Sequence, residues 1–406
     1  MLQMLDLDQE VRWSLRRELD PRLSAVLAYR LSCCCKAYEA DAIATKPRRP
    51  DLAENRSGSL IKVYHQSVKE VMEAWLLTIR DVGERDFIAS IASMVKQVKG
   101  ARLEFDDDAS DIPLAGGTHM VVKVDTFNSG SDWLPGMTEA QAGRKTAVLV
   151  ISDLVTKGAT PIASMLSLCV PPDRDAAGVQ DMIRGFSQYC VQSGASFVGG
   201  DMGLSCETVL TGVGLGTAPS NGIVPRGGTK KGDIIAVTGL FGLTSVAFRI
   251  LLDGLDAPNP LKAMALAAAY KPELDLTLVR MLAKEGAITA SMDSSDGLGI
   301  TLNTMAAHSQ LSFDIEQLPV AQGVSEFAEA NNIGLLDLIM RGGEEFRIVL
   351  SLPIDKWDKA VSIARRARAE LIPIGHAQDG SGVTWKSPKG PITIPMKGYD
   401  DFREWS

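Results

Sequence analysis

The stretch at residues 291–299, SMDSSDGLG, places two aspartates, three serines and two glycines in one short connection. It lies between two segments whose apolar spacing predicts helices. Asp293 and Asp296 are three residues apart, so one helical turn or a tight loop would direct both carboxylates to the same side. A solvated loop that caps the following helix is the alternative interpretation. The rest of the chain decides between the two.

Length and composition indicate a globular protein with two domains. The chain has 406 residues, 45% of them hydrophobic and 23% charged, and this length exceeds what one hydrophobic core usually organises. The formal net charge of −8 argues against nucleic acid as the main partner, since phosphate contacts require clustered Lys and Arg. An acidic protein can still bind an anion when a metal ion lies between them.

The cysteines and the apolar segments bear on location. Six cysteines occur without a CxxC pair, and three of them are adjacent at residues 33–35, which favours a reducing compartment. No uninterrupted apolar run reaches transmembrane length. The first ten residues carry acids and no apolar signal-peptide region. We therefore expect a cytoplasmic protein without a membrane partner.

Residues 1–60 differ from the rest of the chain. Within them, residues 46–59, KPRRPDLAENRSGS, are charged and contain prolines, which predicts a linker. The segment before this linker has helical apolar spacing that is interrupted at Pro21. We expect an N-terminal extension that is either helical or disordered.

From about Val82 onward, strands with period-two apolar residues alternate with helical segments. This mixture is typical of an α/β or α+β fold. A turn-rich break at residues 217–230 marks the expected domain boundary. We predict an N-terminal α/β domain at 82–217 and a C-terminal α/β domain at 225–406.

Aspartates recur in one type of setting, at the end of an apolar run and beside glycine or another acid. They are Asp106, Asp107, Asp108, Asp125, Asp153, Asp201, Asp293 and Asp296. Each alone is weak evidence, because aspartate is common in turns and caps. Together they indicate a site that gathers hard cations, and Mg²⁺ prefers carboxylate oxygens and shares its shell with substrate phosphates.

The usual nucleotide-binding and metal motifs are missing from the sequence. There is no GxxxxGK[ST] loop and no HRD and DFG pair of a protein kinase, and the four histidines have no zinc-site spacing. A triphosphate would therefore be held through metal ions. Phosphoryl transfer by such a site requires in-line positioning and charge neutralisation more than covalent help.

Nine motifs follow one another along about residues 82–402: DVGERDFI, DDDA, VDTF, GRKTAVLVISDLVTKGATP, GGD, RGGTKKGDIIAVTGLFGLTS, MDSSDGL, RGGEEF and MKGYDDF. In this order they resemble the thiamine-monophosphate kinase family, within the superfamily of aminoimidazole-ribonucleotide synthetase-like ATP-binding proteins. The resemblance implies two α/β domains and a homodimer formed through the sheet of the first. It also implies transfer of the γ-phosphoryl group of ATP to thiamine monophosphate, with several Mg²⁺ ions.

The resemblance assigns roles to individual residues. The implied Mg²⁺ ligands are Asp108, Asp125, Asp153, Asp201, Asp293 and Asp296, with Asp107 as a further candidate. Ser295 and Arg226 correspond to ATP contacts, beside Asp125 and Asp201. Arg226, Asp293 and Asp296 form the expected catalytic group.

The expected substrate residues include one departure from the family pattern. Glu344 and Tyr399 correspond to the residues that hold the thiamine moiety, and an acid and an aromatic ring suit a cationic thiazolium and a flat pyrimidine. Asp132 occupies the position of a substrate-binding histidine. Lys123 and Val124 replace the common Ser-Thr pair before the VDTF aspartate. The Asp132 departure resembles an archaeal-type variant of the family, and the replacement at Lys123 and Val124 implies the loss of an ATP contact.

The segment KTAVLVISDL, at residues 145–154, has two interpretations. Its continuous apolar pattern alone favours a strand. The family resemblance implies a helix, and we predict a helix.

Two alternatives to the kinase remain open. One is another enzyme of the same superfamily, and the other is a non-catalytic or repurposed paralogue that binds nucleotide. Asp132 and Lys123 are the features that favour a paralogue. Turnover with thiamine monophosphate would distinguish it from the kinase.

Overall fold

The first of two sheets is built from long strands in the N-terminal half. The computed structural model describes residues 78–399, so the predicted extension at 1–60 lies outside the described residues. The strands are β1 Ser110–Pro113, β2 Thr118–Asn128, β3 Thr160–Val170, β4 Ser196–Leu204 and β5 Val209–Pro219. Their order in the sheet is β1-β2-β5-β3-β4. Only β3 and β4 pair in parallel, so this sheet is mixed.

Helices accompany this sheet before and between its strands. They are α1 Ile79–Val82, α2 Glu84–Ile91, α3 Glu139–Thr156 and α4 Ala176–Gln192. The helical spacing of five residues in the sequence predicts an apolar face on α4: Val179, Met182, Ile183, Phe186 and Cys190. Four of them are buried and Ile183 is half-buried.

The segment with two interpretations is part of α3, so the prediction of a helix is confirmed. Thr138 and Gln141 form a capping box that begins the helix. The helix packs on β2 and β5, on α4 and on a strand of the second sheet, and most of its residues are buried. Burial on several sides removes the 3.6-residue alternation of polar and apolar positions, which is why the pattern alone resembled a strand. Gly143 permits a close approach to α4, since a Cβ there would lie 1.8 Å from the carbonyl oxygen of Met182.

The second sheet has shorter strands and more helices. Its strands are β6 Ile234–Val237, β7 Ala290–Asp293, β8 Ser312–Ile315, β9 Ile348–Leu352, β10 Ile372–Gln378, β11 Gly382–Ser387 and β12 Gly390–Ile394. Their order is β12-β11-β8-β10-β6-β9-β7. The helices are α5 Leu243–Leu251, α6 Asn259–Tyr270, α7 Leu278–Lys284, α8 Leu298–Ser309, α9 Val324–Ala330, α10 Leu335–Met340 and α11 Trp357–Ala367. The predicted mixed α/β class is confirmed. No helix among residues 78–399 is long and apolar enough to cross a membrane.

The C-terminal end of α3 meets the edge strand β7. The hydroxyl of Ser291 donates to the carbonyl of Thr156 at 2.6 Å, and Nζ of Lys157 donates to the carbonyl of Ser291 at 2.7 Å. These buried hydrogen bonds join a helix of the first sheet to a strand of the second. All described residues belong to one compact unit, and the predicted division into domains at 82–217 and 225–406 stays a prediction.

Candidate functional site

Three buried carboxylates converge where α3 meets β7. Asp108 lies in the turn before β1, Asp153 in the last turns of α3, and Asp293 at the end of β7. One oxygen from each lies within 4.8 Å of the others. The sequence predicted all three as metal ligands, and the fold brings them together. Of the three, only Asp293 ends a strand.

Asp108 is neutralised by two cations of the chain itself. Nζ of Lys157 lies 2.8 Å from Oδ2 of Asp108 and 2.7 Å from Oδ1 of Asp107, and Lys157 is fully buried. The guanidinium of Arg226 donates to the other oxygen of Asp108, and the Arg226 backbone N–H donates to Asp107. Burial acts to raise the pKa of Asp108, but Lys157 and Arg226 outweigh it and lower this pKa to about 2. Asp108 therefore stays ionised.

Asp293 and Asp153 have fewer compensating charges. The hydroxyl of Ser152 donates to Oδ2 of Asp293 at 2.6 Å. Burial and then the negative charge of Asp108 raise the pKa of Asp293 to about 7. Burial raises the pKa of Asp153 well above its usual range, and Asp293 and Asp108 add to this against the opposing effect of Lys123. With both carboxyl groups ionised, this half of the cluster would carry more negative charge than the protein compensates.

Lys123 lies between this half of the cluster and a fourth predicted ligand. Its Nζ is 2.7 Å from Oδ2 of Asp153 and 3.4 Å from Oδ2 of Asp125. Burial acts to lower the pKa of Lys123, but Asp153 and Asp125 outweigh it and raise this pKa. Lys123 is therefore charged, and it joins Asp125 to the cluster.

The donor set fits a divalent metal ion of the Mg²⁺ type. Carboxylate oxygens are the ligands such an ion prefers, and three of them are gathered within 4.8 Å of one another. A bound dication would reverse the repulsion that raises the pKa of Asp153 and Asp293.

The loop after Asp293 carries two more predicted residues, Ser295 and Asp296. Asp296 forms an ion pair with Arg85 at 2.6 Å, and the backbone N–H of Glu344 donates to the carbonyl of Ser295 at 2.6 Å. Gly297, with φ of +117°, is the residue before α8. A Cβ at Gly297 would lie 2.9 Å from the carbonyl oxygen of Met340, so the tight connection requires glycine.

The predicted substrate residues form a second group. Nζ of Lys145, a fully buried side chain, pairs with Oε1 of Glu344 and lies 3.5 Å from the carbonyl oxygen of Asp132. Oδ2 of Asp132 accepts from the backbone N–H of Asn128 at 2.7 Å, and burial raises the pKa of Asp132. Tyr399 donates its backbone N–H to the carbonyl of Asp296, so it lies next to the loop that follows the cluster.

The backbone around Glu344 is strained. Glu344 and Phe346 have φ of +62° and +49°, a conformation that residues other than glycine rarely adopt. Such conformations concentrate at functional sites, where the surrounding structure enforces them. Between them, Glu345 is buried and accepts from the backbone N–H of Gly242, which ties this loop to the start of α5.

Asp201 is the predicted ligand that the fold keeps apart. It is exposed on β4, at the edge of the first sheet, and it is not one of the carboxylates gathered at the cluster. Its role as a metal ligand stays a prediction.

Comparison with known proteins places this site in a family. A family described as AIR synthase related protein, N-terminal domain, matches residues 106–218. The thiamine-monophosphate kinase of Nitrosopumilus maritimus is 32% identical over 287 residues, which cover 70% of this chain and 90% of the relative. The chain belongs to the thiamine-monophosphate kinase family.

Solved structures agree with this membership at the level of the fold. The crystal structure of tt0281 from Thermus thermophilus has 28% sequence identity and a TM-score of 0.70, covering 78% of this chain and 99% of that chain. A structure described as AaThiL complexed with AMPPCP and TMP has 22% identity and a TM-score of 0.69, covering 80% of this chain and 99% of that chain. The predicted family resemblance and fold class are confirmed.

Three residues of this member of the thiamine-monophosphate kinase family were missed by sequence reasoning. Lys157 and Lys145 were inside quoted motifs but received no role, and Arg85 belongs to the quoted DVGERDFI segment. The available signal was a lysine in an otherwise apolar segment, because a buried lysine needs a carboxylate partner. The sequence identified Lys123 only as a departure from the family pattern and did not predict its ion pairs with Asp125 and Asp153.

Proposed function

We propose that this protein transfers the γ-phosphoryl group of ATP to the phosphate of thiamine monophosphate, which gives thiamine diphosphate and ADP. The observation that carries the proposal is the buried cluster of Asp108, Asp153 and Asp293 in a chain of this kinase family. A cluster with this surplus of negative charge binds a triphosphate only through cations. ATP-dependent phosphoryl transfer uses that arrangement.

The metal ions in this proposal are Mg²⁺, several per active site. Asp108, Asp153 and Asp293 would hold them, joined by Asp125 and Asp296 from the adjoining strand and loop. Bound Mg²⁺ would neutralise the charge on the transferring phosphoryl group and position it. Asp201 enters this ligand set as a prediction from the motif.

The chain's own residues would then hold two anions in line. The acceptor phosphate has a second pKa of about 6, so its attacking oxygen is already ionised near neutral pH and needs no strong general base. Arg226 and Lys157 keep Asp108 ionised at the cluster. Arg226 is also the proposed phosphate contact, on the basis of the family motif RGG; in the metal-free protein its Nε lies 3.6 Å from Oδ1 of Asp107. Ser295, one residue before Asp296, is the proposed ATP contact.

The thiamine moiety would be held by the second group of residues. Glu344 forms an ion pair with Lys145, whose ammonium also lies 3.5 Å from the backbone carbonyl oxygen of Asp132. The charges of Glu344 and Lys145 both act on the carboxyl group of Asp132. Two acids and one lysine therefore meet here, which would favour a second positive charge such as that of the thiazolium ring of the substrate. Tyr399, 38% exposed, offers an aromatic face beside the loop at Asp296.

We further propose a homodimer formed through the first sheet. Large apolar side chains are exposed on three of its strands: Val124 on β2, Ile162 and Met165 on β3, and Val198 and Met202 on β4. An apolar surface of this kind marks an interaction site. A cytoplasmic location stays a prediction from cysteine usage.

A steady-state assay tests the function. The purified chain is incubated with Mg-ATP and either thiamine monophosphate or free thiamine, and thiamine diphosphate is separated by chromatography. We expect product from the monophosphate alone. Asp293→Asn should reduce kcat by about 10²–10³-fold, the size of effect seen when one electrostatic group is removed from a transition state.

Two outcomes would contradict the proposal. Absence of product while Mg-ATP still binds would indicate a repurposed nucleotide-binding paralogue. Full activity of Asp293→Asn would show that the carboxylate cluster is not the catalytic centre.

A further inference from the structure

The ammonium group of Lys123 forms ion pairs with two carboxylates, those of Asp125 and Asp153. Lys123 and Asp125 are two residues apart on β2, so their side chains extend from the same face of the strand. That face meets α3, which carries Asp153. Nζ of Lys123 lies 2.7 Å from Oδ2 of Asp153 and 3.4 Å from Oδ2 of Asp125.

The other cations of the site are held elsewhere. Lys157 and Arg226 form their ion pairs with Asp107 and Asp108. Across the described part of the chain, Lys123 forms the only ion pairs recorded for Asp153 and Asp125. The compensation of this half of the cluster therefore depends on Lys123.

A lysine and a divalent ion cannot occupy this position together. Mg²⁺ requires its ligand oxygens at about 2.0–2.1 Å, and the ammonium already contacts the Asp153 oxygen that would face such an ion. The two positive charges would also repel each other at this distance. The side chain of Lys123 is only 23% exposed, so the strand holds the ammonium near the carboxylates.

We propose that the ammonium of Lys123 takes the place of one divalent cation between Asp125 and Asp153, so that this chain binds one Mg²⁺ fewer with ATP than it would with a neutral residue at this position. The inference rests on the proposed Mg-ATP-dependent function. A cation that is part of the chain is always present, whereas a metal ion must be recruited from solution. Lys123 thus sets the metal requirement of the site.

The test counts metal ions directly, with Mn²⁺ as a spectroscopic substitute for Mg²⁺. The full chain is saturated with a non-hydrolysable ATP analogue, and bound Mn²⁺ per chain is measured by equilibrium dialysis and electron paramagnetic resonance. Lys123→Ser should bind one more Mn²⁺ than the unsubstituted chain. Lys123→Arg keeps the charge and should retain the original count.

Lys231→Ser is the matched control for loss of one positive charge. Lys231 pairs with Asp379 at the surface, and both side chains are more than half exposed, so its loss should leave the Mn²⁺ count unchanged.

Thermal unfolding gives a second measurement. Without metal, Lys123→Ser should unfold at a lower temperature than the unsubstituted chain, and Mn²⁺ should raise its unfolding temperature by more.

Equal Mn²⁺ counts in Lys123→Ser and the unsubstituted chain would overturn the inference, as would equal stabilisation by Mn²⁺. If Lys123→Ser folds only with Mn²⁺ present, that dependence supports it. The turnover assay of the unsubstituted chain is independent of the Mn²⁺ count. Equal Mn²⁺ counts in Lys123→Ser and the unsubstituted chain, with normal turnover of thiamine monophosphate, would contradict only this inference. One extra Mn²⁺ in Lys123→Ser, with no turnover by the unsubstituted chain, would contradict only the proposed function. Absence of bound Mn²⁺ in every variant contradicts both.

Discussion

Asp108 and Asp293 belong to one carboxylate cluster but differ in how the chain compensates them. The pKa of Asp108 is lowered to about 2, whereas that of Asp293 is raised to about 7. Both side chains are buried, so burial alone does not explain the difference. The difference lies in the partners. Asp108 contacts Lys157 and Arg226, while Asp293 receives one hydrogen bond from the hydroxyl of Ser152.

The two parts of the cluster differ in where their neutralising charge comes from. The Asp108 half of the cluster is neutralised by Lys157 and Arg226, so its negative charge is balanced without a ligand. The Asp293 half, on α3 and β7, would carry an excess of negative charge if both Asp153 and Asp293 were ionised, and burial together with this repulsion raises their pKa values. A buried excess charge is costly unless a ligand supplies the opposite charge. In the proposed function a metal ion would supply that charge to Asp153 and Asp293, and Asp108 would add an oxygen that is already ionised.

Removing the cation of the Asp108 half should have the largest effect. Lys157→Met leaves Asp107 and Asp108 short of one buried partner and removes the hydrogen bond to the carbonyl of Ser291. We expect a loss of about 3–5 kcal/mol in the free energy of unfolding, as for a broken buried ion pair. Denaturant unfolding without metal measures it.

Lys231→Met is the control for this change, because Lys231 belongs to an exposed ion pair and such pairs contribute about 0–1 kcal/mol. If Lys157→Met lowered the free energy of unfolding as little as Lys231→Met, Lys157 would not be the residue that neutralises Asp108.

The pH dependence of stability should differ between the unsubstituted chain and Asp293→Asn. In the metal-free protein Asp293 keeps its proton up to about pH 7, whereas the unfolded chain releases it near the ordinary pKa of 3.8. Between these values the folded state binds more protons, so the free energy of unfolding falls as the pH rises. Asp293→Asn carries no such proton and should lose less stability over this window. Part of the decrease in the free energy of unfolding should remain in this variant, because the pKa of Asp153 is also raised.

Thermal unfolding in chelator at several pH values measures this difference. Asp108 does not interfere, because its lowered pKa makes it contribute only below the ordinary aspartate pKa, where stability falls as the pH decreases. Identical slopes for Asp293→Asn and the unsubstituted chain would contradict the raised pKa.

The smallest expected effect concerns the substrate end, where Lys145 compensates Glu344 much as Lys157 compensates Asp108. Glu344→Gln removes the negative charge proposed for the thiazolium ring. The KM for thiamine monophosphate should rise about tenfold, equivalent to about 1.4 kcal/mol, with the KM for ATP unchanged. Steady-state kinetics with each substrate varied in turn measures this.

The neighbouring glutamate provides the control. Glu345 accepts from the backbone N–H groups of Gly242 and Thr244 at the start of α5. Glu345→Gln should therefore lower stability by about 1 kcal/mol and leave the KM for thiamine monophosphate unchanged. Equal KM changes in both variants would indicate a general disturbance of the loop, not a substrate contact.

Local patterns in the sequence were sufficient for the fold class and for most elements. Period-two apolar residues predicted β2, and 3.6-residue spacing predicted α4, because one face of each is more buried than the other. They were insufficient for α3, which is buried on several sides and has no such alternation. There the family motif, rather than the pattern, predicted the helix.

The sequence alone determined which residues could form the site: acids beside glycines, in motifs of one kinase family. Folding brings some of these residues together and fixes the charge partners of each, and it leaves Asp201 exposed on β4, outside the carboxylate cluster. The physical reason is that a charge shifts its neighbour's pKa mainly within about 4–6 Å. Partners such as Ser152 and Asp293 are 141 residues apart in the chain, so their contact exists only after folding.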